Sequence, residues 1–148
     1  MSYVIAEIGI NHNGDIDLAK ELIDMAEESG CDAVKFQKRD IDSVYSEDEL
    51  NKYRESPWGT TTREQKEGIE FSIEQYIELE NHASQIGLDF IVSCWDLKSL
   101  ELVESKLDVR YHKVASAMVT DKDFLEALNK TGKPIILSTG MCTEREID

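Results

Sequence analysis

The chain is short of several things, and each shortage closes off a class of function. It has three cysteines, Cys31, Cys94 and Cys142, with no C-x-x-C pair, no histidine at ligand spacing and no identifiable base beside any of them. That pattern speaks against a disulfide framework, a structural zinc or a catalytic thiol and points to reduced, incidental cysteines. No run of about 18 apolar residues occurs, and Met1-Ser2-Tyr3 lacks a basic leader, so neither a spanning helix nor an export signal is expected and the expected compartment is the cytosol. Cations are scarce: 16 lysines and arginines stand against 31 acids, a net charge of −15. Nucleic acid and anionic membrane both require a basic footprint, so neither is expected as a partner. Any anionic ligand must be held by a few local cations. No Gly-x-Gly-x-x-Gly follows the first strand and no P-loop occurs, which disfavours a nucleotide-binding doubly wound sheet.

What is present fits one ordinary domain: 148 residues with 41% hydrophobic content. Tyr3–Ile8 reads as a strand, followed by the turn residues Asn13-Gly14-Asp15. Asp17 is the predicted N-cap of a helix carrying Leu18, Leu22, Met25 and Ala26, and Gly30 its stop. Ala33–Gln37 is the second strand. From Lys38 to Glu70 the pattern is charged and irregular, too long for a plain connection, with a short helix predicted over Glu47–Arg54 and a Ser56-Pro57-Trp58-Gly59 turn. Ser72 and Gln75 form a predicted capping box, Phe71 and Tyr76 a hydrophobic staple, and Gly87 ends that helix. Phe90–Ser93 is a third strand, Asp96 caps a helix with Leu97, Leu100 and Val103, and Tyr111–Val114 is a fourth strand. Asp121 opens a helix through Phe124, Leu125 and Leu128. Pro134–Ser138 is an apolar strand of the kind buried on both faces of a parallel sheet, and Thr143 with Glu146 caps one more helix.

Strands alternating with helices imply βα units joined by right-handed crossovers, hence an α/β fold with a parallel sheet. The expected architecture is a (β/α)8 TIM-type barrel truncated after about five βα units. Five strands cannot close such a barrel, so the chain is expected to be a portion of a longer polypeptide.

In a parallel sheet the strand ends all point one way. They carry Glu7, Lys35 with Gln37, Ser93, Lys113 with Ser116, and Ser138. A single serine there could merely solvate a loop, but a lysine inside an apolar strand is rarely buried without a partner. Two such lysines converging with hydroxyls predict an anion site. His12 reads as a turn residue, His82 lies on a helix, and His112 faces away from Lys113 by alternation. No pair of histidines has metal-ligand spacing, so no metal site is expected within the chain.

Glu7–Asp15, Val34-Lys35-Phe36-Gln37, Ser56-Pro57-Trp58-Gly59, Tyr111–Ser116 and Gly132–Met141 together resemble the sialic acid synthase family, which comprises N-acetylneuraminate synthases and their legionaminate and pseudaminate relatives. The resemblance runs the length of the chain. It implies a transferase of carbohydrate biosynthesis with a TIM barrel followed by an antifreeze-like domain, of which residues 1–148 match the N-terminal five-eighths of the barrel. Such enzymes condense phosphoenolpyruvate with an N-acylated amino sugar such as N-acetylmannosamine, releasing phosphate. The resemblance also implies a homodimer when full length and a divalent metal, Mn or Mg, whose ligands lie outside this chain, so that the piece alone is inactive.

By the same resemblance Lys35 and Gln37 hold phosphoenolpyruvate, Lys113 and Ser116 bind its carboxylate, Ser93 and Ser138 supply hydroxyls, and Glu7 handles a proton, which makes Glu7, Lys35 and Lys113 the expected catalytic set. The chain departs from the family pattern at Met118, where some members carry a sugar-contacting glutamate, and at Cys94-Trp95-Asp96, where others have Pro-Phe. Both departures bear on the amino sugar. Two competing readings are a non-catalytic half-barrel interaction module and another phosphoenolpyruvate-condensing or Schiff-base aldolase barrel, for which Lys113 would be the nucleophile.

Overall fold

A parallel β1-β2-β5 sheet organises the computed structural model, which describes residues 2–147. Its strands are β1 (Ile5–Gly9), β2 (Ala33–Lys38) and β5 (Asp89–Cys94), with Glu7 beside Lys35 and Gln37 beside Ser93 in register. α1 (Ile16–Glu28) returns the chain from β1 to β2 and packs against α5 (Ile73–Gln85), which feeds β5. α6 (Leu97–Lys106) then leads to β6 (His112–Val114), and α7 (Lys122–Lys130) leads to β7 (Ile135–Leu137). β6 and β7 pair in parallel as a separate two-stranded sheet. Alternation sorts the side chains. Val34, Phe36, Phe90, Val92 and Cys94 join the helices' Ile23, Tyr76, Leu79, Ala83, Leu100 and Val103 in the core, leaving Lys35, Gln37 and Ser93 on the opposite face. The α/β class and parallel sheet are thus as expected. No helix among the described residues is long and apolar enough to cross a membrane.

Several boundaries differ from the sequence reading for identifiable reasons. The cap of α1 is Asp15, not Asp17: its Oδ1 accepts from the backbone N–H of Asp17 at 2.9 Å and of Leu18 at 3.1 Å. The 38–70 stretch is ordered. It holds α2 (Ile41–Val44), α3 (Glu47–Leu50), an antiparallel hairpin of β3 (Tyr53–Ser56) and β4 (Gly59–Thr61), and α4 (Thr62–Ile69). The short helix therefore stops at Leu50, and Tyr53 and Arg54 are extended. Arg63 ties the segment together through Asp42 at 2.7 Å and Glu47 at 2.8 Å. Its anchor is Gly68, against which the Trp58 ring packs so closely that a Cβ there would lie 2.1 Å from Cγ of the indole; the Gly68 carbonyl meets Gly14 in turn, where a Cβ would lie 2.0 Å from it.

The capping box of Ser72 and Gln75 and the Phe71–Tyr76 contact, 6.1 Å between ring centroids, are as read. β7 is a correction: Ile135 is 38% and Leu137 42% exposed, because nothing among the described residues covers those faces.

Candidate functional site

The backbone register alone brings Glu7 and Lys35 side by side, and their side chains close the gap, with Lys35 Nζ 2.7 Å from Glu7 Oε2. The lysine is 5% exposed and the carboxylate 59% exposed, so the pair reaches from the sheet's face toward solvent. Lys113, on β6, has its Nζ donating to Ser138 Oγ at 2.6 Å and to the Val114 carbonyl at 2.8 Å. Partial burial lowers the Lys113 pKa, the Lys35 charge lowers it further, and Glu7 opposes both. That mutual influence places Glu7, Lys35, Lys113 and Ser138 in one electrostatic neighbourhood.

Gln37, one step higher on the same face as Lys35, has its amide oxygen bonded by the Arg39 guanidinium, and its Nε2 would lie 3.4 Å from a Cβ at Gly9. Ser93 is fully buried and its hydroxyl donates to the Lys113 carbonyl at 3.1 Å. That bond joins β5 to β6, so in this state the Ser93 proton is spent on the main chain and not offered to a ligand. Ser116 opens the 3-10 turn Ser116–Met118 just beyond β6, half-buried, and no hydrogen bond among the described residues links its hydroxyl to Lys113 or Ser138. The structure therefore assembles Glu7, Lys35, Lys113 and Ser138, sets Gln37 directly above them, and leaves Ser93 and Ser116 at the margin.

The histidines have separate structural duties. His12 is buried and stacked on Phe71 at 4.1 Å, its Nδ1 accepting from the Gly14 N–H at 3.1 Å. Burial pushes its pKa down to about 4. His112 faces the helix side, as alternation requires, 3.3 Å from a Glu104 oxygen that Lys133 also approaches at 2.6 Å. His82 pairs with Asp24 at 2.7 Å on the outer surface. No group of three His, Cys, Asp or Glu that could hold a metal ion occurs among the described residues. The one carboxylate in the lysine layer, Glu7, is already engaged by Lys35. The residues present therefore do not fit the divalent metal that the resemblance implies.

Two residues of this mouth escaped the sequence reading. Arg39 follows β2 and lies over the ring of Trp95, which follows β5, at 4.3 Å. The signal was available: Lys35, Gln37 and Arg39 share a period of two, as do Ser93 and Trp95.

A family model described as the NeuB family matches residues 22–148. The N-acetylneuraminate-9-phosphate synthase of Homo sapiens is 39% identical over 141 residues, 94% of this chain and 39% of the relative. The N,N'-diacetyllegionaminic acid synthase of Legionella pneumophila is 36% identical over 148 residues, 98% of this chain and 41% of the relative. The crystal structure of N-acetylneuraminic acid (sialic acid) synthetase from Leptospira borgpetersenii in complex with citrate superposes with a TM-score of 0.83 at 26% identity, over 98% of this chain and 47% of that one. The chain spans about two-fifths of the length of the curated relatives it matches.

Proposed function

Because the chain belongs to the NeuB family, we propose that it forms the phosphoenolpyruvate-holding portion of a (β/α)8-barrel synthase that joins phosphoenolpyruvate to an N-acylated amino sugar and releases phosphate. The observation that carries this reading is the convergence of Lys35 and Lys113, from two different strands, beside a carboxylate and a hydroxyl in a chain otherwise dominated by acids. Point charges and hydroxyl donors held on rigid strands are what a phosphate and a carboxylate on one small molecule require. The synthase relatives, and a related structure that holds citrate, a small polycarboxylate, accord with it.

In the proposed reaction C3 of phosphoenolpyruvate bonds to the aldehyde carbon of the open-chain sugar, and the aldehyde oxygen takes a proton. Water adds at C2 and loses a proton. The C2–O bond to phosphate then breaks, phosphate leaves with the electron pair, the C2 hydroxyl gives up its proton, and a keto group remains. Lys35 and Lys113 hold the phosphate and carboxylate, and Ser138 fixes the direction of the Lys113 ammonium. Glu7 is exposed enough to exchange a proton with water or with the aldehyde oxygen while its other face stays on Lys35.

Lys35→Ala and Lys113→Ala, each in the full-length protein, test the assignment by calorimetric titration with phosphoenolpyruvate. A charge-assisted contact contributes about 1.5–3 kcal/mol, so each variant is expected to bind tenfold or more weakly. Undiminished affinity in either removes that lysine from the site. The lowered Lys113 pKa favours a second reading, in which its amine forms a Schiff base with a carbonyl substrate. Borohydride trapping of substrate on Lys113 would establish that reading, and its absence would leave the lysine as an anion holder.

A further inference from the structure

The rim above the lysines holds a cation, Arg39, that forms no ion pair among the described residues, although the Glu70 carboxylate lies close enough to feel its charge. Beyond the register pairs Lys35–Ile91 and Gln37–Ser93, the ladder continues one step: the Trp95 N–H donates to the Lys38 carbonyl at 3.0 Å. Arg39 and Trp95 therefore extend the ligand-facing columns of β2 and β5, and their side chains meet at 4.3 Å. Lys38, between Gln37 and Arg39, turns to the opposite face and takes the nearby carboxylate, Glu70, at 2.9 Å. The Arg39 guanidinium is left with the neutral Gln37 amide and forms no ion pair among the described residues. Arg63 pairs with three carboxylates and Arg110 with one, and of the arginines without an ion pair among the described residues Arg39 is half-buried whereas Arg54 and Arg145 are exposed. In a chain with 31 acids, a half-buried arginine with no direct ion pair among the described residues is open to an anion from outside the protein. Two donors at the same spot, Arg39 Nε and Trp95 Nε1, are shielded from solvent and have no acceptor. Lifting the guanidinium off the indole sacrifices one cation–π contact and opens both to a ligand.

Resting on the condensation reading above, we propose that Arg39, seated on Trp95, is the specificity-determining residue for a phosphate carried on the far carbon of the amino-sugar substrate. Adding the three carbons of phosphoenolpyruvate to a six-carbon sugar at C1 turns sugar C6 into product C9. A 6-phosphate thus lies at the end of the sugar remote from the reacting carbon. Arg39 is four residues beyond Lys35, about 13 Å along the strand direction, which leaves the reacting sugar between the two cations. A planar guanidinium is suited to bidentate recognition of phosphate.

The test compares N-acetylmannosamine with its 6-phosphate in the full-length protein, following phosphate release from phosphoenolpyruvate, for wild type and Arg39→Gln. Wild type is expected to favour the phosphorylated sugar in kcat/KM, and Arg39→Gln to cut that preference tenfold or more, chiefly through KM. An unchanged preference, or no preference in wild type, overturns the inference. Weaker phosphoenolpyruvate binding in Arg39→Gln, with both sugars impaired equally, would assign the guanidinium to phosphoenolpyruvate and overturn it too. If neither sugar turns over, the amino sugar is a different one, and calorimetry with the sugar 6-phosphate decides: binding that depends on Arg39 sustains the phosphate site, and no binding removes it.

Discussion

Glu7 and Lys35 show how far residue types alone can be read and where they stop. A carboxylate at the end of the first strand and an ammonium on the second were legible from the strand pattern, and the 2.7 Å pair follows from the register that sets them side by side. Ser93 was not legible in the same way, because whether a hydroxyl faces a ligand or a neighbouring carbonyl depends on how closely β6 approaches β5. The pair at Glu7 has both a structural and a chemical reading, and one substitution separates them. Glu7→Gln keeps the shape and a hydrogen-bond acceptor for Lys35 but cannot exchange a proton. General acid–base contributions run to about 10²–10⁴-fold, so kcat in the full-length protein is expected to fall by about 100-fold or more with a small change in melting temperature. A sharply lowered melting temperature with near-normal kcat would make Glu7 a structural partner only. His12 offers a stability test. Its imidazole takes a proton near 6.5 in the unfolded chain and near 4 in the fold, so between those values the unfolded chain holds more protons and acid favours unfolding. The stabilisation, up to about 3 kcal/mol, is fully present above pH about 6.5 and is lost as pH falls toward 4. Urea midpoints measured from pH 7.5 down to 4.5 should fall more steeply for wild type than for His12→Asn, which keeps an acceptor but does not titrate. Parallel curves would mean that His12 titrates normally.

At the scale of elements, capping boxes and apolar periodicity located α5, α6 and α7 from sequence, since those signals are local. The β3–β4 hairpin was missed because its strands are three and four residues long, largely exposed, and made of residues such as Arg54, Glu55 and Thr60 that show no apolar alternation. What orders it is long-range: Trp58 on Gly68, and Gly68 on Gly14. Gly68→Ala would thrust a methyl to 2.1 Å from the Trp58 ring. Overpacking of this kind typically destabilises by about 1–3 kcal/mol. The variant is expected to unfold at lower urea with a shifted native tryptophan emission, as the ring is forced off its seat. Wild-type emission and midpoint would show that the ring stands clear of Gly68 in solution.

For the molecule as a whole, the order of βα units was legible and the cover of each strand was not. Ile135–Leu137 has the pattern of a strand buried on both faces, yet two of its three residues are exposed, because pattern records a need for partners without saying which residues meet it. The same scale reveals a seam. Lys35 stands on the β1-β2-β5 sheet and Lys113 on the β6-β7 sheet, and between β5 and β6 no ladder runs; a side-chain bond from Ser93 to the Lys113 carbonyl crosses instead. A molecule gripped by both lysines therefore acts as a rivet between two plates. Its binding should slow amide hydrogen exchange in β6 and β7 together with β2 and β5, in one concerted step, although most of those amides touch no ligand. Protection confined to the strand carrying each lysine would mean that the plates were already fastened before the rivet arrived.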